Sequence, residues 1–268
     1  MWQNLRSTIV NGLGGCRRAA GEVWRGAVDF AYPPACASCH GDLPAEAASP
    51  TGFCESCWNG LSRTLDVPAC SRCAATIGPH LNPDGCPMCR NEHYRFDRTF
   101  RFGVYDDELR VACLKMKHGG ARRLIAGLGR AFLERHAASL NAEPLDLVVP
   151  VPRDWRQRFF DSHSSAAVLA EVWSRALKVP LAPDVLRKTR RTPPQSRLVP
   201  SVRRTNLKNA FAVRRGEDLT GATILLVDDV MTTGATANEC SRALREAGAT
   251  RVVAGVLARG LGRRELNT

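Results

Sequence analysis

Four Cys-x-x-Cys pairs near the start of the chain constrain its fold more than any other feature of the sequence. When two residues separate a pair of cysteines, a tight turn can direct both sulfurs at one tetrahedral metal ion. The block carries little apolar mass and much glycine and proline, so we expect it to depend on bound metal for its stability. The eight cysteines are Cys36, Cys39, Cys54, Cys57, Cys70, Cys73, Cys86 and Cys89.

These eight thiols predict two structural zinc ions. Four thiolates complete the coordination of each ion and leave no open position for catalysis. The favoured assignment gives one ion to the first two pairs (Cys36 to Cys57) and the other ion to the last two pairs (Cys70 to Cys89). An interleaved assignment stays open. A disulfide framework would need an oxidising compartment, and we find no export signal in residues 1–30, so a cytoplasmic location is expected.

After Cys89, short apolar strands alternate with amphipathic helices. The pattern predicts a half-buried strand that contains Phe100, Phe102 and Val104. Alternation of this kind indicates an α/β fold in which helices cover both faces of a parallel sheet. We therefore divide the chain into a leader (1–32), a double zinc ribbon (33–93) and an α/β domain (94–268). The further strands are predicted at about 145–150, 222–227 and 251–257, and the helices at about 108–117, 122–138, 163–177 and 235–247.

Residues 224–236 are the most informative stretch of the α/β domain. Four apolar residues are followed by Asp228 and Asp229, then by a Thr/Gly-rich loop that enters a helix. Ionised carboxylates only accept hydrogen bonds, which suits the vicinal hydroxyls of a ribose. The loop places backbone N–H groups at a helix N-terminus, where a phosphate binds favourably. The loop residues are Thr232, Thr233, Gly234, Ala235 and Thr236.

This order of residues resembles the signature with which type I phosphoribosyltransferases bind 5-phosphoribosyl-1-pyrophosphate (PRPP). Together with the cysteine pairs, it makes the chain similar to the ComF family, including its GntX members. That family combines a double zinc ribbon with a phosphoribosyltransferase-like domain and is associated with competence. The resemblance implies PRPP and Mg²⁺ as ligands, Asp228 and Asp229 as catalytic and ribose-binding residues, and residues 232–236 as the phosphate site. It also implies pyrophosphate contacts for Lys115 and Arg158.

One segment departs from the family pattern. Family members usually carry Arg-Gly-Phe-Asn-Gln after a Val-Pro-Val-Pro strand, whereas this chain has Arg158-Phe159-Phe160-Asp161-Ser162. In the wider superfamily this loop binds pyrophosphate. Because phenylalanine replaces a glycine that permits close backbone approach, and an aspartate adds negative charge, we expect weaker pyrophosphate binding.

The formal net charge of +12 favours anionic partners. Ten of the basic residues and no acid lie in residues 186–215. This basic segment has two interpretations: a solvated cover over the active site, or a nucleic-acid surface that neutralises phosphates.

The sequence supports two functional hypotheses. The first is an enzyme that transfers a phosphoribosyl group to a nitrogenous base. The second is a non-catalytic adaptor in DNA uptake that contacts DNA and DNA-uptake proteins. No apolar run is long enough for a membrane span.

Overall fold

The computed structural model describes residues 34–43, 51–78, 86–90, 92–118, 120–153, 164–190 and 207–260. The chain forms two compact units, residues 1–54 and residues 55–268. The predicted leader over residues 1–32 lies outside the described residues. The predicted boundaries at 32/33 and 93/94 stay predictions.

The described part of the first unit is a tight turn closed by backbone hydrogen bonds. Ala35 and Asp42 form an antiparallel bridge. Between them the N–H of Cys36 donates to the carbonyl of Gly41 over 2.7 Å. Such a turn brings the sulfurs of the first Cys-x-x-Cys pair to one side of the backbone.

The second unit is built on a four-stranded sheet in the order β1-β6-β5-β2, in which every neighbouring pair is parallel. A separate antiparallel pair joins β3 to β4. Strand β6 and the first five residues of β5 are almost wholly buried, as is typical of parallel strands that helices cover on both faces. The strands are β1 (Arg98–Val104), β2 (Leu147–Pro150), β3 (Leu186–Lys188), β4 (Phe211–Val213), β5 (Thr223–Met231) and β6 (Arg251–Arg259).

Helices pack on both faces of this sheet. One face carries α6, the β3–β4 pair and the second group of cysteines, which share one hydrophobic cluster with β5 and β6. On the other face, the stacked rings of Phe132 in α4 and Trp173 in α5 are 4.0 Å apart. The helices are α1 (Glu55–Ser62), α2 (Pro87–Arg90), α3 (Asp107–Lys115), α4 (Arg122–Asn141), α5 (Ser165–Leu177) and α6 (Ala235–Glu246).

The predicted α/β architecture is confirmed, with strands and helices where the apolar pattern indicated them. The prediction that β1 is half-buried is wrong, since Thr99 and Arg101 are also buried. The guanidinium of Arg101 donates to the carbonyls of Val67 and Ala74, each over 2.8 Å. The cysteine-containing segment therefore covers the face of β1 that the alternation assigned to solvent.

No helix in the described parts of the chain combines the length and the apolar character that crossing a bilayer requires.

We predict that Gly255→Ala destabilises the second unit. A Cβ atom at Gly255 would lie 2.6 Å from the indole of Trp173, which is itself held by a 3.0 Å hydrogen bond to the carbonyl of Gly129. Overpacking of this kind costs about 1–3 kcal/mol. Urea unfolding measures the loss. Gly78→Ala is the control, because a Cβ atom there meets nothing within 4 Å; equal stability of the two variants would contradict the packing described.

Candidate functional site

The eight paired cysteines form two groups of four, as the favoured assignment predicts. Cys36, Cys39, Cys54 and Cys57 make one group, and Cys70, Cys73, Cys86 and Cys89 make the other; within each group all sulfurs lie within 4.8 Å of one another. Both groups consist of cysteines alone, and His40 and His93 are exposed. His80 lies outside the described residues.

The sulfur–sulfur distances fit zinc. The Sγ atoms of Cys70 and Cys89, and those of Cys73 and Cys86, are 3.7 Å apart. Four sulfurs placed about 2.3 Å from a central zinc define a tetrahedron with edges of about 3.8 Å. A disulfide would need a distance of about 2.05 Å, and none of the eight cysteines of the two groups forms a disulfide. Each group can therefore hold one zinc ion, and the disulfide alternative does not fit.

The first group also stabilises thiolate, the form that binds metal. The backbone N–H groups of Ser38 and Cys54 donate to the Sγ atom of Cys36, over 3.4 and 3.3 Å. Burial raises the pKa of Cys36, but backbone hydrogen bonds outweigh burial and lower the pKa to about 6. This thiol is thus prepared to ionise at neutral pH.

Asp228 and Asp229 lie inside β5, at the carboxyl edge of the sheet. The pairing of β5 with β2 ends at Val227, whereas its pairing with β6 continues to Met231. The two acids are therefore held by β6 just beyond the end of β2. In parallel sheets this edge is where ligands bind.

The two carboxylates have different neighbours, because successive residues of a strand point to opposite faces. Burial, followed by the charge of Asp229, raises the pKa of Asp228 well above its ordinary value, and the positive charge of Arg153 partly offsets this. The negative charge of Asp228 also contributes to the raised pKa of Cys240, which is mainly due to burial. Cys240 belongs to α6, so Asp228 lies on the face of the sheet that carries this helix.

Asp229 lies on the face that carries α3. Burial raises the pKa of Cys113 to about 12, and the charge of Asp229 adds to this effect. Burial also raises the pKa of Tyr105, and the charges of Cys113 and Asp229 add to this effect. Cys113 and Cys240 are both fully buried, and their positions beside the acids were not predicted.

The Thr/Gly-rich loop connects β5 to the N-terminus of α6, as predicted. Gly234 caps the helix in a left-handed conformation, with φ of 77°. The hydroxyl of Thr233 accepts a hydrogen bond from the N–H of Ala235 over 3.3 Å. The first backbone bond of the helix runs from the N–H of Asn238 to the carbonyl of Gly234. The N–H groups of Thr236 and of the residue after it therefore have no partner within the helix. Residues 232–236 are the loop for which the sequence predicts phosphate binding, and we call them the phosphate loop.

Two residues were predicted to contact pyrophosphate, and both contacts stay predictions. Lys115 is an exposed residue in the last turn of α3, and its predicted contact with pyrophosphate stays a prediction. Arg158, with the whole segment 158–162, lies outside the described residues.

Three residues at this edge of the sheet were missed by sequence reasoning. Arg153 follows β2, and its charge acts on Asp228. Arg259, the last residue of β6, is buried and donates to the carbonyl of Met231 over 3.3 Å. The hydroxyl of Tyr94 donates to the carbonyl of Thr233 over 3.1 Å. Only Arg153 had a local signal, namely its place directly after the Val-Pro-Val-Pro strand.

A parallel sheet with paired acids and a phosphate loop at its carboxyl edge defines a phosphoribosyltransferase-like domain. Residues 163–267 match the family described as the phosphoribosyl transferase domain. A solved structure of adenine phosphoribosyltransferase is 19% identical, with a TM-score of 0.36, and the match covers 54% of this chain and 76% of that one. The phosphoribosylpyrophosphate amidotransferase of B. subtilis is 23% identical, with a TM-score of 0.34, over 51% of this chain and 26% of that one.

Among curated proteins, Competence protein F of Haemophilus influenzae is 28% identical over 84% of this chain and 96% of its own length. DNA utilization protein YhgH of Escherichia coli (strain K12) is 29% identical over 78% of this chain and 91% of its own length. The chain is therefore a phosphoribosyltransferase-like homologue of Competence protein F, and the resemblance seen in its motifs is confirmed.

We predict that the purified chain holds two zinc ions. Cys73→Ser should lower the content to about one ion per chain and destabilise the protein, because a Cys₄ site with three thiolates binds zinc less tightly. Release of zinc to a colorimetric chelator under denaturing conditions measures the stoichiometry. The control is Cys113→Ala, which removes a buried thiol outside both groups and should keep two ions. A metal-free native chain, or disulfides found by mass spectrometry, would contradict the assignment.

Proposed function

We propose that the chain binds PRPP at the carboxyl edge of its sheet. The phosphate loop binds the 5′-phosphate, and Asp228 and Asp229 accept hydrogen bonds from the ribose hydroxyls. The observation that carries this proposal is the position of the two acids, immediately before the phosphate loop and beyond the end of β2. The family match over residues 163–267 supports it.

The phosphate loop has the chemistry that a phosphate monoester needs. The amides of the first turn of α6 point out of the helix without intrahelical partners, and the helix dipole adds partial positive charge there. The hydroxyls of Thr232, Thr233 and Thr236 are further donors in the same loop. Gly234 takes the left-handed conformation that turns the chain into α6, and a Cβ atom there would lie 3.1 Å from the ring of Tyr94, so this turn requires glycine.

The acids favour a ligand that brings positive charge or hydroxyl donors. Burial and the adjacent charge of Asp229 raise the pKa of Asp228, so its ionised form is unfavourable without a ligand. Hydroxyl donors and a divalent cation both stabilise such a carboxylate. Mg²⁺ prefers carboxylate and phosphate oxygens, so these residues fit Mg²⁺-bound PRPP. When bound, Mg²⁺ would neutralise charge on the pyrophosphate.

The reaction we propose is transfer of the phosphoribosyl group to a nitrogenous base. The base nitrogen forms a bond to the anomeric carbon, the bond from that carbon to the pyrophosphate oxygen breaks, and the nitrogen loses a proton. Asp228 and Asp229 stabilise the positive charge that develops on the ribose, and the phosphate loop holds its other end. Lys115 and Arg158 are proposed to contact the leaving pyrophosphate. A cytoplasmic location is part of the proposal, because free thiols suit a reducing compartment.

We predict that Asp228→Asn weakens PRPP binding and stabilises the free protein. Loss of hydrogen bonds to a charged acceptor should lower the affinity by about 10-fold or more. Because the folded-state pKa of Asp228 is raised, ionisation of this group opposes folding at pH 7 and stops opposing it as the pH falls below about 4. The melting temperature of the variant should therefore exceed that of the native chain at pH 7, and the difference should shrink in acid.

Calorimetry with PRPP and Mg²⁺, together with thermal unfolding at several pH values, tests both effects. The exposed Glu134, replaced by Gln, is the matched control and should change neither quantity. Pyrophosphate release with a panel of nucleobases then tests turnover. Absence of PRPP binding by the native chain would sink the proposal, and binding without pyrophosphate release would favour a binding protein over an enzyme.

A second candidate function is a non-catalytic adaptor that contacts DNA and DNA-uptake proteins. Homologues carry the names Competence protein F and DNA utilization protein YhgH, and the basic segment 186–215 contains no acid. Such a segment would neutralise phosphates without reading bases.

For this function we predict steeply salt-dependent binding of single-stranded DNA. Reversal of charge at Arg203 and Arg204 should weaken binding and reduce the slope of log K against log salt concentration by at least about 1. Fluorescence anisotropy with a labelled oligonucleotide at several salt concentrations measures both. Charge reversal at the exposed helical residues Arg123 and Arg175 is the control. An equal loss in both double variants would indicate only the net charge of the protein.

A further inference from the structure

We propose that the second cysteine group positions the phosphate loop, with Arg259 and Tyr94 as the positioning residues. The inference rests on the proposed function of the loop. We call the described residues around this group, 70–78 and 86–90, the knuckle. Its sulfurs belong to the same hydrophobic cluster as Met231, which precedes the phosphate loop, and Ala235, the loop residue that begins α6.

Arg259 forms the first connection between the knuckle and the loop. Its side chain is 1% exposed. The Nε atom donates to the carbonyl of Cys73 over 3.0 Å, and Nη1 donates to the carbonyl of Met231 over 3.3 Å. One guanidinium thus joins a metal-binding residue to the residue that precedes the phosphate loop.

The knuckle supplies the hydrogen-bond acceptor and the negative charge that allow Arg259 to be buried. A buried guanidinium needs nearby negative charge as well as hydrogen bonds, and its charge acts on the thiol of Cys73. Four thiolates around a divalent zinc ion leave a net charge of −2. The metal-loaded knuckle therefore stabilises the guanidinium electrostatically while carbonyl groups fix its orientation.

Tyr94 forms the second connection, on the other side of Thr232. Its carbonyl accepts a 2.9 Å hydrogen bond from Arg72, which lies between two cysteines of the knuckle. Its hydroxyl donates to the carbonyl of Thr233 over 3.1 Å. Its ring contacts the loop directly, since a Cβ atom at Gly234 would lie 3.1 Å from it.

These two connections fix the carbonyl groups of Met231 and Thr233, the residues directly before and after the exposed Thr232. A loop held in this way has already lost the conformational freedom that a flexible loop would lose on binding an anion. If zinc leaves the knuckle, this small segment lacks the core to stay folded. Both hydrogen bonds would then weaken, and with them the affinity of the loop for phosphate.

Arg101 provides a matched comparison. It is also a buried arginine, at 5% exposure, and it also donates to a carbonyl of the knuckle, that of Ala74. Its guanidinium also donates to the hydroxyl of Thr76 and the carbonyl of Val67, and these bonds join the knuckle and its preceding segment to β1. Loss of Arg101 should destabilise the fold without acting on the phosphate loop directly.

The test uses the zinc-loaded full chain with Tyr94→Phe, Arg259→Met and Arg101→Met. Three quantities are measured: zinc content, the Kd for Mg²⁺-bound PRPP by calorimetry, and amide hydrogen exchange of residues 231–237. Loss of one hydrogen bond should raise the Kd by about 2–10-fold. We expect this increase and faster loop exchange in Tyr94→Phe and Arg259→Met at unchanged zinc content, with a Kd within about 2-fold of native in Arg101→Met.

Tyr94→Phe keeps the ring and its packing, so it tests the proposal even if Arg259→Met does not fold. Native affinity and native loop exchange in Tyr94→Phe, with the same result in any folded Arg259→Met protein, would overturn the inference. The exchange measurement also separates the two proposals. If the native chain does not bind PRPP, the proposed function fails, but faster loop exchange in Tyr94→Phe or after zinc removal still supports the coupling.

Discussion

The parallel pairing of β5 with β6 is the interaction on which the rest of the site depends. It continues from Thr223 and Arg251 to Met231 and Arg259, whereas the pairing of β5 with β2 stops at Val227. The last four residues of β5 are consequently supported along one side by β6 while they extend beyond the end of β2. Two carboxylates can remain in a rigid strand at the sheet edge only because β6 accepts and donates the backbone hydrogen bonds there.

Much of this arrangement could be predicted because it is local in the sequence. The strand, the two acids and the loop follow one another within residues 223–236, so periodicity and residue chemistry were sufficient. The grouping of the cysteines was predictable for the same reason. The short pair β3–β4 was not predicted, since each strand has three residues, too few to show a periodic pattern. The burial of β1 was missed because the residue that reveals it, Arg101, resembles a solvent-exposed arginine in the sequence.

The connections that hold the loop could not be predicted, because they join distant parts of the chain. Tyr94 and Thr233 are 139 residues apart, and Arg259 and Cys73 are 186 residues apart. An arginine that ends a strand and a tyrosine after a cysteine pair carry no local pattern that indicates a partner. Such contacts follow from the way in which the cysteine segment packs on the sheet face that carries α6, and that packing is a property of the folded chain.

The altered segment 158–162 and the phosphate loop affect different parts of the proposed ligand. In the proposed complex, binding energy for the 5′-phosphate would come from the loop between β5 and α6, which keeps its threonines, its glycine and its support from β6. Binding energy for pyrophosphate would come from the segment in which Phe159 and Asp161 replace a glycine and an amide. Weaker binding of the leaving pyrophosphate lowers the stabilisation of the transition state more than it lowers the ground-state affinity for the sugar phosphate. Under the proposed function, the sequence change would therefore reduce turnover before it abolished binding, and a chain that retains the ligand without rapid transfer is consistent with both functional hypotheses.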